Sequence, residues 1–596
     1  MVEESSTPGA LRRSPQPSLV HSTRPLFLAL IFATSISSLS TAQQLDPATS
    51  ATYPQITVTQ YPLNDRGIAR SVLESMQRPL AQEVEDAHGD HWQATPHGLN
   101  RSSLAGRSTR TLNAKDGLPV LALTGIAASH NHLWLATNHG AILFIPDAPV
   151  NARSYFFAGP RYLPDDHVLQ IVAHESDAWI RTQTGIAHIA FQPLTLDAKS
   201  DLFLHRLQER HNRYGYVASC QLLRSGDTAS FRMIPDDNDG LWTSMYVASE
   251  VFRYAATRSP VALRNAQASL QALLRLTTIT GIPGLPARSL MRKGDYREPG
   301  GEWHSTPDGH WDWKGDTSSD ELVGHFFAYW VAWNLLPKHG DRDAIRTAVS
   351  HIAGGLLDHD LQLIGYNGKH TTWGRYGPEY LQTLDSDGRA LDSLEILSHL
   401  AVAWQITGEP RFLNAYHRIA TSLGYAENVA HFSDHRAPTI NYSDNELAFL
   451  SFYPLMQIEK DAQLRAQYQQ GLASLFKRVQ PEHNPLWNLI DAQIASPNPA
   501  ACADAADSLQ RIPLSTVSWT IENSRRDDIT LLPQLDDQGE REAAILIPPN
   551  ERRVSKWNAN PFVPDGGDNG SSEDDGVFFL LPYWLGRYHR LLPCSR

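Results

Sequence analysis

Two hydrophobic rhythms divide this chain. Up to about residue 195, apolar and polar positions alternate, as in His132–Ile145 (HLWLATNHGAILFI), with the two-residue period of a half-buried strand. From about residue 200 the period lengthens to that of helices, and the helical runs come in pairs with short breaks. The pattern predicts Leu241–Arg258 with Pro260–Thr277, Ser319–Leu336 with Asp341–Asp358, and Leu391–Thr407 with Pro410–Leu423. It continues with Asp444–Lys460 and Ala462–Val479, then Pro485–Ala495 and Ala500–Arg511. Pro260 and Pro410 suit a first helical turn, where a missing N–H costs nothing. A sixth pair joins the first and last runs, Arg206–Ala218 and Gly576–Leu592. The predicted fold is therefore mainly α: an (α/α)6 toroid of six helical hairpins closed by its own ends, preceded by a small β module.

That module carries a repeat. Trp92-Gln-Ala-Thr-Pro-His-Gly98, Trp134-Leu-Ala-Thr-Asn-His-Gly140 and Trp179-Ile-Arg-Thr-Gln-Thr-Gly185 share W-x-x-T-x-x-G, recurring after 42 and 45 residues. The period suits one four-stranded propeller blade. The motif resembles the repeat of the two-component-regulator-type propeller. Three copies fall short of the roughly four blades a closed propeller needs, so an open or truncated module is expected. The organisation read from sequence is 1–42 signal peptide, 43–66 linker, 67–195 propeller-like repeats and 200–596 helical catalytic domain.

Composition narrows the partners. A chain of 596 residues exceeds one ordinary core, and 41% hydrophobic with 19% charged residues is a soluble globular balance. A net charge of −13 without a Lys/Arg stripe excludes a nucleic-acid backbone as partner. Leu26–Ile36, preceded by Arg24 and followed by Ser40-Thr41-Ala42, reads as a cleaved export signal. It is too short for a stable membrane span, so the destination is periplasmic or extracellular. Cys220, Cys502 and Cys594 form no CxxC, and no HExxH occurs, so neither a metal site nor a cofactor is expected. Asp236-Asp237-Asn238-Asp239-Gly240 is open to three readings: turn, Ca²⁺ loop or active-site loop.

Candidate chemistry concentrates in Glu302–His325 (EWHSTPDGHWDWKGDTSSDELVGH). Trp303, Trp311 and Trp313 offer flat faces for sugar rings, and Lys314, Asp316, Asp320 and Glu321 follow at once. His325 lies one helical turn beyond Glu321, so the two share a face. Trp373, Arg375 and Tyr376 supply another stacking surface with a cation and a phenol suited to a uronic-acid carboxylate. His211, Asn212, Arg213 and Tyr214 fall in one predicted helix, where at most two can serve one site. The loops entering the first helix of each pair are the polar ones: IPDDNDG, KGDTSSDE, INYSDNE, PEHNP and NGSSEDD. On a toroid they would crowd one rim, which predicts a cleft there.

Residues 205–592 resemble the six-hairpin glycosidase-like superfamily, in particular exported bacterial proteins that join propeller-type repeats to the toroid. The residues carrying the likeness are His211–Tyr214, Asp236–Trp242, Lys314–Glu321, Asn441–Glu446, Asn484–Asn488 and Lys556–Asn558. The resemblance implies a poly- or oligosaccharide substrate, cleaved by a glycosidase or a lyase; fold alone does not choose.

The carboxylates have a structural alternative. Ser318-x-x-Glu321, Asp392-x-x-Glu395, Ser443-x-x-Glu446 and Ser572-x-x-Asp575 all fit a capping box. For hydrolysis, Glu321 or Asp444 would protonate the leaving oxygen while Asp316 or Asp239 activates water, with carboxyls roughly 6.5–9.5 Å apart for inversion. For β-elimination, Asn212, Arg213 or Arg375 would neutralise a uronate, and Tyr376, Tyr214, His211 or His325 would take the α-proton. Trp303, Trp311, Trp313, Lys314, Trp373 and Trp487 would bind substrate in either case. A non-catalytic glycan sensor is the third reading, since such repeats occur in sensory ectodomains.

Overall fold

The repeat explains how the β module is built. The computed structural model describes residues 51–592 except 104–108, 298, 339–340, 437–440, 537 and 554–557. The export signal, the first part of the expected linker, Lys556, Trp557 and Cys594 lie outside the described residues. Three four-stranded antiparallel sheets are present. The first is β2 (Glu83–Glu85), β3 (His91–Thr95), β4 (Gly98–Ser102) and β5 (Thr109–Leu112). The second is β6 (Leu123–Ser129), β7 (His132–Thr137), β8 (Gly140–Phe144) and β9 (Ser154–Phe157). The third runs β1 (Tyr53–Pro62), β12 (Gly185–Leu194), β11 (Asp177–Thr182), β10 (Val168–His174).

In every copy the motif threonine closes the hairpin. Its hydroxyl donates to the carbonyl of the motif glycine: Thr95 to Gly98 (2.7 Å), Thr137 to Gly140 (2.7 Å), Thr182 to Gly185 (3.1 Å). The glycine is there because the next strand comes too close for a side chain. A Cβ at Gly98, Gly140 or Gly185 would sit 2.2, 2.5 or 2.9 Å from the carbonyl of Leu112, Phe157 or Tyr61. In the third copy that carbonyl belongs to β1, which precedes the whole module. Tyr53–Pro62, in the stretch expected as linker, pairs with β12 from Tyr53↔Leu194 to Pro62↔Gly185 and supplies the missing fourth strand.

Among the described residues, twelve helices of eight residues or more follow the β module. The inner ones are α2 (Asp239–Thr257), α4 (Ser319–Leu335), α6 (Ser386–Thr407), α8 (Tyr442–Ile458), α10 (Pro485–Ile494) and α12 (Val577–Tyr588). Each packs on the next, and α12 returns to α2, so the cycle closes. The outer ones are α1 (Leu196–Arg210), α3 (Pro260–Ile279), α5 (Asp341–Asp358), α7 (Pro410–His417), α9 (Ala462–Val479) and α11 (Pro499–Arg511). Burial separates the two sets. Glu321–Ala332 of α4 and Asn445–Met456 of α8 are buried without a break, as befits helices surrounded on all sides. On α3, burial falls on Ala262, Ala266, Leu270 and Leu273, one face only.

Local signals set the ends. Ser259 accepts from the Ala262 N–H ahead of Pro260, Asp461 from Gln463 and Leu464, and Asn484 from Leu486. Several boundaries differ from the sequence reading. α1 starts at Leu196, ten residues before Arg206, α7 ends at His417 rather than Leu423, and α12 ends at Tyr588 rather than Leu592. Two further shifts have a visible cause. α1 stops at Arg210, because Asn212–Arg213 and Tyr216–Val217 form a hairpin that turns on Tyr214 (φ 59°) and Gly215 (φ 93°). α6 starts five residues early, at Ser386, because Asp385 caps it by accepting from Gly388 at 2.7 Å.

The far end of the ring is plugged. Tyr453 of α8 meets Phe252 of α2, Phe327 and Trp330 of α4, and His589 just past α12, with ring centroids 5.6–6.0 Å apart. Its hydroxyl pairs with His589 Nε2 at 2.7 Å. Nine residues of helix separate Tyr453 from Asp444, about 13 Å of depth below the rim where the inner helices begin. The β module and the helices belong to one compact unit, Asp46–Arg596. A buried lysine fastens them: Lys199 Nζ donates to Gln55 of β1 and to the carbonyls of Leu509, Gln510 and Ile512 at the end of α11. No helix among the described residues is long and apolar enough to cross a membrane.

Candidate active site

Four carboxyls from three neighbouring inner helices converge on the rim. α4 contributes Asp320, α6 contributes Asp392 and Glu395, and α8 contributes Asp444. The convergence is legible in their mutual electrostatics. Burial pushes Asp444 up to about 7, and Asp320 adds to the rise against the partial relief of Arg478. Burial and then Asp444 raise Asp392, while burial followed by Asp392 and Asp320 raises Glu395 well above the carboxylate range. Neither oxygen of Glu395 has a hydrogen-bond partner. The Tyr376 hydroxyl lies beside it without closing a bond of good geometry, and burial with Glu395 raises that phenol in turn.

The helix starts separate these acids. Asp320 and Asp444 lie in the first turns of α4 and α8, where Asp444 accepts from the side chain of the N-cap Asn441 at 2.8 Å, whereas Asp392 and Glu395 lie deeper. α6 begins two turns before Asp392, so Asp392 and Glu395 stand inside the helix. The cap of α8 is Asn441, not Ser443. Ser318 caps α4 by position but makes no capping bond, and its hydroxyl turns to Asn238 Oδ1 (3.2 Å). Ser572 is in a strand, and Asp575 instead accepts from Val577 N–H at 2.7 Å. The capping-box expectation therefore fails at all four positions.

A second group lies at the starts of α2 and α4. Asp239 is fully buried and accepts from Arg213, from the Ser289 hydroxyl and from the Asp236 N–H. Burial raises it to about 6 despite the guanidinium. Glu321 is likewise buried; Oε1 accepts from Leu241 N–H (3.3 Å), and Oε2 points over Gly240, 3.9 Å from Nδ1 of His325. That Nδ1 donates to the Glu321 carbonyl (2.7 Å), and burial holds His325 down at about 4, hence neutral. The rest of the DDNDG loop is equally committed. Asp236 accepts from Ser219, Asp237 pairs with Lys314, and Asn238 accepts from Arg288. Oxygens met by guanidinium, ammonium and hydroxyl donors fit a loop anchor and do not fit a Ca²⁺ shell.

The rim itself carries Asp316, in left-handed conformation (φ 48°), which accepts from the backbone and hydroxyl of Thr372 (both 2.8 Å). This ties the loop before α4 to strand His370–Arg375, whose Trp373 is 57% exposed. Tyr366, 56% exposed, stacks over His304, which packs on Trp313. Arg375 covers the ring of Tyr380 at 4.2 Å. Trp303 is partly buried, with Lys314 Nζ 5.7 Å from its ring.

Other residues named from sequence sit elsewhere. Trp313 and Trp487 are core residues, the latter stacked on Phe449 with its indole N–H bound to Glu482. Trp311 packs edge-on against Tyr214 between Arg275 and Arg292. Asn212 bonds Gln208 and the Gly215 N–H inside its hairpin. His211 is buried with Cys220 and Glu573, three side chains within 4.8 Å of one another. Glu573 already accepts from Arg210 and lies 3.4 Å from Arg206; burial would raise it, but His211 and these arginines hold it at about 2. Burial pushes the Cys220 thiol up to about 12, so this trio is an ion-pair network rather than a metal site. Sequence reasoning passed over Asp392 and Glu395 as a cap. The available signal was two acids three apart within the largely apolar stretch Leu391–Leu397.

No family model and no curated protein matches the sequence. Among solved structures, similarity extends to a chain described as the extracellular domain of a hybrid two component system from B. thetaiotaomicron. There the identity is 20% and the TM-score 0.16, over 22% of this chain. The match spans about a fifth (19%) of that relative's length. A polysaccharide lyase aligns over 66% of this chain and 98% of its own at 13% identity and TM-score 0.30. A family 76 glycoside hydrolase from a bovine Bacteroides thetaiotaomicron strain aligns over 78% and 99% at 9% identity and TM-score 0.37. None of the three supplies residue equivalences for the rim.

Proposed function

We propose that this protein is an exported glycoside hydrolase with its active site on the rim of a six-hairpin toroid. Asp444 is the general acid and Asp320 the general base. The observation that carries this reading is the mutual electrostatic influence of Asp320, Asp392, Glu395 and Asp444 on three neighbouring inner helices. Glycosidic hydrolysis needs a proton donor at neutral pH and a second carboxyl to activate water. A carboxyl held near 7 by burial and a neighbouring acid is a donor of that kind. In the reaction the Asp444 proton passes to the leaving glycosidic oxygen as the C1–O bond breaks. Water adds at C1 and gives its proton to the Asp320 carboxylate. Trp373 offers its face to a sugar ring.

Elimination is disfavoured by the state of its bases. His325 is buried and neutral, His211 is bound to the Ala218 carbonyl and Glu573, and burial raises Tyr376 far from a proton-accepting range. The test is a screen of neutral, amino and uronic-acid glycans, read by reducing ends and by the near-ultraviolet absorbance of unsaturated products. Reducing ends without absorbance, abolished in Asp444→Asn and Asp320→Asn, are expected. Unsaturated products, or full activity in both variants, would overturn the assignment.

A further inference from the structure

A polar cavity of about 620 Å³ opens on the rim beside the start of α8, within the size range of small-molecule sites. One wall is Asn441, Tyr442 and Ser443, the three residues before Asp444. The other comes from the long connection 512–576 ahead of α12, with Ser518, Gln538, Arg553 and Asn558 among its members. Asn441 joins the cavity to Asp444, since its Nδ2 donates to Asp444 Oδ1 at 2.8 Å. Among the described residues, none from α4 or α6 lines the cavity. It therefore lies on the Asp444 side of the site, away from Asp320 on α4.

The outer wall is set before any ligand arrives. Arg161 and Tyr162 of the β module, both buried, reach the backbone of the same connection. Arg161 donates to the carbonyls of Arg552 (2.6 Å) and Arg553 (2.5 Å), and Tyr162 to that of Asn550 (2.5 Å). A wall held in this way spares a ligand the cost of ordering it.

The lining also selects a chemistry. Asp536 accepts from the Gln538 and Glu540 N–H groups and from Asn560 Nδ2, and Glu540 pairs with Arg553 at 3.4 Å. By contrast, the side chains of Ser443, Ser518, Gln538 and Asn558 have no partner among the described residues. Hydroxyls and carboxamides both donate and accept, which suits the hydroxyls of a sugar. Asp536, Glu540 and Asp574 outnumber the single lining guanidinium, Arg553, so an anionic sugar is repelled.

We propose that this cavity is a sugar subsite on the leaving-group side of the scissile bond, seating an uncharged sugar through Ser443, Ser518, Gln538 and Asn558. The sidedness rests on the hydrolase reading, because the proton donor stands next to the group that leaves. The binding does not.

Binding is measured by calorimetric titration of the full protein carrying Asp444→Asn, which removes turnover. The probes are mannose, glucose, galactose and xylose trisaccharides and trigalacturonate. At least one neutral trisaccharide is expected to bind at least about tenfold tighter than trigalacturonate. Gln538→Ala combined with Asn558→Ala, both at exposed positions, should weaken that sugar at least about fivefold with Tm unchanged. No binding by any neutral trisaccharide, trigalacturonate binding as tightly, or unchanged affinity in the double variant would overturn the proposal. In the enzyme with Asp444 intact, the same pair should lower kcat/KM more on the trisaccharide than on the 4-nitrophenyl glycoside of its sugar. Equal losses would overturn the sidedness. Binding as expected without cleavage would keep the subsite and remove the hydrolase reading. Cleavage with affinity indifferent to the double variant would do the reverse.

Discussion

Gly240 makes room for the Glu321 carboxyl: a Cβ at Gly240 would lie 1.8 Å from Glu321 Oε2. The same helix pair closes again one step on, where a Cβ at Gly324 would meet the Leu241 Cα at 2.9 Å. Two glycines therefore let α2 and α4 approach at the rim, with a carboxyl buried between them.

Gly240→Ala is expected to lower stability by about 1–3 kcal/mol through overpacking, seen as a fall in Tm. Adding it to Glu321→Ala should cost little more, since the overlap has gone. Equal thermal stability of Gly240→Ala and wild type would remove the close contact.

Catalysis should follow the protonation of Asp444. The carboxyl is raised to about 7, so the acid form predominates below that pH and is lost above it. Activity is expected to decline as pH rises through about 7, and Asp444→Asn to lose roughly 10²–10⁴-fold. A pH–rate profile flat across neutrality would contradict the role.

Glu482 offers a pH test on stability. It is buried, accepts from the Trp487 indole (3.0 Å), and burial raises it to about 7. A raised carboxyl stabilises the fold below its unfolded value of 4.5, and this contribution is lost as pH rises through 7. The loss is on the order of 3 kcal/mol. Glu482→Gln should therefore show a smaller fall in Tm than wild type between pH 5 and 8. Parallel curves would show that Glu482 carries no such linkage.

Strand β1 should be indispensable to the third sheet. Deleting 51–62 strips β12 of its partner along ten residue pairs and leaves an exposed edge. Loss of amide-exchange protection in β12, with aggregation of the purified variant, is the expected outcome. Retained protection in β12 would mean that β1 is dispensable.

Much of the architecture was legible because it is local. Helical period, N-cap side chains and first-turn prolines place Asp341–Asp358 and Ala462–Val479 to the residue, and W-x-x-T-x-x-G marks three hairpins. The motif even encodes its own reason, since the threonine closes the turn and the glycine admits the next strand. Two local signals misled. Tyr214 and Gly215 break a run that scans as helix, and Asp392-x-x-Glu395 imitates a cap although the true cap, Asp385, lies further back.

The sequence by itself determined the helical pairs, the strand repeats, the acidic balance and the stock of rim acids. Only the tertiary structure decided which acids share a space. Asp239 and Glu321 became anchors because arginine, serine and backbone donors reach them, while Trp313 and Trp487 went to the core. Asp320, Asp392, Glu395 and Asp444 met because three inner helices start on the same rim, across up to 124 residues of chain. Such couplings depend on distance through space and on burial, neither of which a linear pattern records. The strand that completes the third sheet shows the same limit, since Tyr53–Pro62 finds its partner more than a hundred residues away.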